Sequence, residues 1–125
     1  RSGERMTDAE IDVLADNPVR VPKLNKIRDH ARSVSHKAYG GDPTVPEDAY
    51  RHTLWSFTLT NEYGPEFAQT VTDAHEIGAT WNTEADHRMD YNNNKVGRDY
   101  AKAGVPESDI LKRVLEDPAV IRSPQ

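Results

Sequence analysis

Every sustained apolar pattern in this chain repeats at intervals of three and four residues, and none alternates at two over a useful length. Intervals of three and four gather side chains on one face of an α-helix, whereas a half-buried strand needs strict alternation. The chain is therefore predicted to be all-α, a compact single domain over residues 1–125 built from five to six helices. Prolines and glycines mark where each helix begins and stops. Thr7-x-x-Glu10 is a capping box opening a short first helix through Ile11, Val13 and Leu14, which Asn17-Pro18 ends. Residues 1–20 are expected to lie at the periphery.

A second helix is predicted from Val21-Pro22 to Tyr39, with Leu24, Ile27, Ala31, Val34 and Ala38 as its apolar stripe and Gly40-Gly41 as its stop. Its opposite face is basic, through Lys23, Lys26, Arg28, Arg32 and Lys37, and His30 and His36 are expected on the surface without acidic partners. Pro46 suits the first turn of a third helix reaching Tyr63, and Pro65 that of a fourth ending near Thr80. A fifth helix is predicted over Thr83–Ala103 and a last one over Glu107–Leu115, with Ser123-Pro124-Gln125 expected to fray.

Composition narrows the function. With 125 residues the chain can bury one core and support one site. It has no cysteine, so any metal would have to use His, Asp, Glu, Asn and water. The formal net charge of -5 opposes sequence-independent binding to bulk nucleic acid, which requires a basic surface. No stretch approaches the roughly 20 apolar residues of a membrane span. The first residue is Arg1 rather than methionine, as expected of a piece of a longer protein.

Polar chemistry concentrates between Arg51 and Arg98, on the helices spanning 48–103. Arg51-His52 and Trp55 fall on the third helix, Asp73-x-His75-Glu76 on the fourth, and His87-x-x-Asp90-x-x-Asn93-Asn94-x-x-Gly97-Arg98 on the fifth. His87, Asp90, Asn94 and Gly97 lie at steps of three, four and three, which makes one stripe with Asn93 beside it. A glycine on that stripe admits another backbone or a ligand. Three consecutive asparagines, Asn92-Asn93-Asn94, weaken a helix interior. They are compensated either by bonds to facing helices or by a ligand, and spacing does not choose between these. Trp55 is expected in the core.

These residues bring a resemblance into view. The segment Asp48–Arg98, about two fifths of the chain, resembles a bacterial family of uncharacterised domains with an Arg-His-x-x-Trp helix, an Asp-x-His-Glu helix end and a Met-Asp-x-x-Asn-Asn-x-x-Gly-Arg element. Here these read Arg51-His52-Thr53-Leu54-Trp55, Asp73-Ala74-His75-Glu76 and Met89 to Arg98. Such domains look like the C-terminal cargo of polymorphic toxins, including rearrangement-hotspot and related secreted proteins. The resemblance implies that His52, Asp73, His75, Glu76, Asp90, Asn93 and Asn94 belong together. It further implies a toxin delivered into a target cell by a larger secreted carrier polypeptide and restrained by a cognate immunity protein. An acidic inhibitor would find a complementary surface on the second helix. Where this chain has Asn92, members of the family often have His.

Three functions compete. In the first, a hydrolase, His52, His75 and Asp90 hold a divalent metal such as zinc, Glu76 is the general base, and Arg51, Asn93, Asn94 and Arg98 bind a phosphoester or envelope substrate. In the second, Glu76 and Asp90 are the paired carboxylates of a metal-free glycosidase acting on cell-wall glycan. The third is a non-enzymatic binding module whose polar stripe is a hydrogen-bond network. The hydrolase reading expects His52, His75 and Asp90 to converge in one cleft, with Glu76 and Asp90 exposed in it and contributing little to stability.

Overall fold

In the computed structural model, which describes residues 6–124, the chain folds into six α-helices, with no strand among the described residues. They are α1 (Asp8–Asp16), α2 (Val21–Gly41), α3 (Glu47–Tyr63), α4 (Pro65–Gly78), α5 (Glu84–Lys102) and α6 (Ile110–Glu116). Short 3-10 turns at Pro18–Arg20 and Glu107–Asp109 lead into α2 and α6. Residues 1–5, part of the expected peripheral segment, and Gln125 of the expected frayed tail lie outside the described residues.

The helix α3 is the axis of the domain. Its residues Ala49, Tyr50 and the unbroken run His52–Phe57 are buried, so it is covered on most of its circumference, by α2, α4, α5 and α6. Around it Leu24, Ile27 and Ala31 of α2, Ala68 and Val71 of α4, Val96 and Tyr100 of α5, and Ile110 and Val114 of α6 close one core. The expected α2 stripe needs one amendment. Ser35 replaces Val34 as the deeply buried residue, because its hydroxyl returns to the Ala31 carbonyl at 2.8 Å and needs no outside partner. On the exposed side of α2, His30 and His36 do find carboxylates, Glu107 at 2.9 Å and Glu47 at 3.1 Å, which other elements bring to them.

The cap read from the sequence forms as written, with Thr7 and Glu10 capping α1 reciprocally. Thr83 and Asp86 form a second such box at the start of α5, one that was not among the expected caps. The helix α1, buried only at Glu10, is nonetheless fastened to α4. Thr7 Oγ1 donates to the Ala74 carbonyl at 2.9 Å, and Gly78 lies so close beneath Thr7 that a Cβ there would overlap its side chain. Arg20 secures the next turn by stacking its guanidinium over Tyr63 and Phe67 at 4.6 and 4.4 Å from the ring centres.

The C-terminal segment is fastened to α5. Tyr100 donates its hydroxyl to Asp117 at 2.6 Å; burial and this carboxylate push the Tyr100 hydroxyl pKa up, while the same bond and the Ala119 amide draw Asp117 down. Val120 is buried beyond it.

The helices α3 and α5 approach closely at Gly97, where a Cβ would run into the Thr53 carbonyl and the Phe57 amide. These are backbone atoms and cannot step aside as a side-chain tip could. Replacing Gly97 with Ala is expected to force the two helices apart at a cost of about 1–3 kcal/mol, read as a lower midpoint in urea denaturation. An unchanged midpoint would show that the seam has slack.

Candidate metal centre

Three helices each contribute one ionisable side chain to a single buried point. The seam with α5 turns His52 of α3 inward, and the last turn of α4 presents Glu76. The short connection Ala79–Thr83 then reverses the chain, so that Asp90 arrives about two turns into α5. His52 Nε2 lies 3.4 Å from Asp90 Oδ1. Potential ligand atoms of His52, Glu76 and Asp90 all lie within 4.8 Å of one another. Their exposures are 2%, 2% and 0%, which contradicts the expectation that the two carboxylates stand in a wet cleft.

Neighbouring histidines brace this group. His87, the rim residue with a quarter of its side chain exposed, places Nδ1 3.1 Å from Glu76 Oε1 and donates to it. His75 was expected to be a ligand, but its Nδ1 faces the other way, 2.7 Å from Glu10 Oε1 on α1. The same Glu10 oxygen accepts the Thr7 amide at 2.9 Å, so one carboxylate both caps α1 and holds the His75 ring. That ring packs edge-on to Trp55, 5.8 Å between centres, and lies 6.3 Å from the His52 ring. The carboxylate expected as general base, Glu76, thus takes the place beside His52 and Asp90 that was expected of His75, and His75 serves as wall and support.

The other expected site residues separate into distinct environments. Asp73 is half-buried, close enough with Glu76 to act on Tyr91, whose hydroxyl pKa is raised first by burial and then by these two negative charges. Arg51 pairs with Asp48 at 3.0 Å on its own helix, and Arg98 is half-buried further along α5. Asn93 clasps the C-terminal segment. Its Nδ2 donates to the Ile121 carbonyl at 2.8 Å and its Oδ1 accepts the Ile121 amide at 3.0 Å, as a neighbouring β-strand would. Asn92 adds a bond to the Ala119 carbonyl at 2.7 Å. Asn94 is fully buried one turn beyond Asp90.

Sequence reasoning missed Glu10 and the bracing role of His87. His87 stood three residues before Asp90 on the predicted stripe and could have been found there. Glu10 had already been explained by its capping box, and only the docking of α1 reveals its second duty.

One imidazole and two carboxylates form a donor set suited to a borderline or hard divalent cation, and three protein ligands leave a coordination position open. Fold and site together define a small all-helical domain with a buried His-Glu-Asp group capable of holding a metal ion. The chain belongs to the domain family of unknown function DUF6973, which matches residues 11–118. No curated protein and no solved structure matches it. No helix among the described residues is long and apolar enough to cross a membrane.

The clasp of Asn93 makes its role separable from that of the ionisable group. Asn93→Ala is expected to strand the amide and carbonyl of Ile121 and to lower stability by about 1–3 kcal/mol in chemical denaturation. Hydrogen exchange at Ile121 should rise with it; protection that stays at the wild-type level would mean the segment is held elsewhere.

Proposed function

We propose that this domain is a metal-assisted hydrolase in which His52, Glu76 and Asp90 bind a divalent ion such as zinc, and that it serves as the C-terminal toxin module of a larger secreted bacterial protein. The observation that carries the metal part is the convergence of these three buried groups from three helices. Ligand atoms bound to one tetrahedral zinc at about 2.0–2.1 Å stand roughly 3.3–3.4 Å apart, and His52 Nε2 and Asp90 Oδ1 are separated by 3.4 Å. Two carboxylates this near each other in a buried site repel by about 3 kcal/mol at an effective dielectric of 20, which a cation between them converts into attraction.

A bound zinc ion would supply a water acidic enough to give hydroxide near neutral pH. Around it the chain's own residues divide the work. His87 donates to Glu76 Oε1 from the partly exposed rim and so fixes the orientation of that carboxylate. Tyr91, exposed beside this group, offers its hydroxyl as a hydrogen-bond donor to a substrate oxygen at the rim. The negative net charge favours a lipid headgroup, cell-wall material or small nucleotide over bulk DNA or RNA. The toxin context, the carrier polypeptide and the cognate immunity protein rest on the resemblance of the three motifs.

A metal-free glycosidase has less support, because both of its carboxyls must touch the sugar and Glu76 and Asp90 are almost completely buried. A binding module would need no such burial of charge at all.

Elemental analysis of the purified protein is expected to find one ion per chain, absent from His52→Ala and Asp90→Ala. Saturating zinc at about a hundred times its dissociation constant should stabilise the wild type by about 2.7 kcal/mol and leave those variants unmoved. Expressed inside a bacterial host, the wild type should arrest growth and His52→Ala should not. Full toxicity of a folded His52→Ala protein that binds no metal would favour the binding module.

A further inference from the structure

Two side chains on the α3–α5 seam are completely buried with polar atoms that find no hydrogen-bond partner among the described residues, a condition that Trp81 and Asn82 share only at less buried positions. Asn94 is fully buried, and neither carboxamide atom has a hydrogen-bond partner among the described residues. Thr53, the residue after His52, is also fully buried with its hydroxyl in the same condition. Nearby hydroxyls on the same helix behave otherwise. Thr58 and Thr60 return theirs to the Leu54 and Ser56 carbonyls at 2.8 Å, and Ser56 gives its own to the Asn94 carbonyl. Buried polar groups in folded proteins are nearly always matched, so two unmatched ones on one seam mark the place of something that is not protein.

Their position says what. Asn94 follows Asp90 by one helical turn on the face that meets α3, and helical side chains lean towards the N-terminus, which tilts this carboxamide back towards Asp90. We infer that Asn94 and Thr53 together hold the oxygen ligand that fills the open position of the His52-Glu76-Asp90 centre. This rests on the metal reading of that centre. A carboxamide both donates and accepts, and a hydroxyl does the same, which suits a water or hydroxide that must be held in one orientation. Both are neutral. Two carboxylates already balance a divalent ion, and a third anionic group would make a water bound there less acidic; Asn94 would orient the oxygen without adding charge. It is a positioning residue, which would keep that water or hydroxide in one orientation at the centre.

Cobalt(II) chloride is the probe, since its visible spectrum reports both affinity and the coordinated oxygen. Wild type is expected to give a spectrum with a pH-dependent transition. Asn94→Ala should weaken cobalt(II) binding 10–100-fold and displace that transition, and the near-isosteric Thr53→Val should displace it in the same direction by less. Metal-free Asn94→Leu should melt at or above the wild-type temperature, because it removes a buried amide that the protein itself does not satisfy. Metal-free Asn94→Leu melting several degrees lower, with cobalt(II) affinity and spectrum as in wild type, would overturn the inference and make the amide a structural element. Failure of wild type itself to bind cobalt(II) would overturn the metal reading, and this inference with it.

Discussion

The near-contact of two helix backbones at Gly97 is the constraint on which the rest of the domain depends. Because α5 lies directly on the Thr53 carbonyl, its polar stripe is pressed into α3, and Asp90 is carried to within 3.4 Å of His52. A wider spacing would admit water between the helices and leave two ordinary, solvated side chains. The thin core, drawn from a chain with only 35% apolar residues, is organised around this seam. Polar residues fill the remaining interior, and each must be matched by protein or by something bound.

Support for the buried group comes from single residues performing two tasks. Glu10 caps α1 and holds His75, whose ring in turn packs against Trp55 beside His52. His87 sits on the same helix as Asp90 and fixes Glu76 of the neighbouring helix. The arrangement resembles the outer shell of known metal sites, where ligand carboxylates and imidazoles are oriented by further hydrogen bonds. It also explains why the N-terminal helix, with Glu10 as its buried residue, is firmly docked.

The helical architecture was legible because its signals are local: the Thr7-x-x-Glu10 capping box, prolines at helix starts and the three-four spacing of apolar residues. Arrival of His52, Glu76 and Asp90 on consecutive helices was legible in outline, since short connections make neighbours of consecutive helices. Which member of the His75-Glu76 pair faces inward was not, because adjacent helical residues point about 100° apart and only the docking of α1 decides between them. The asparagine run was similarly mute. Asn92 and Asn93 turn to the C-terminal segment and Asn94 to the seam, a division set by tertiary contacts that no spacing encodes.

The central claim is that a metal ion sits between three helices, and diffraction locates such an ion directly. Crystals grown with zinc and measured on either side of its absorption edge should give an anomalous peak about 2.0–2.2 Å from His52 Nε2 and from one oxygen each of Glu76 and Asp90. Peaks confined to surface histidines such as His30 and His36, with no density among His52, Glu76 and Asp90 at saturating zinc, would contradict it.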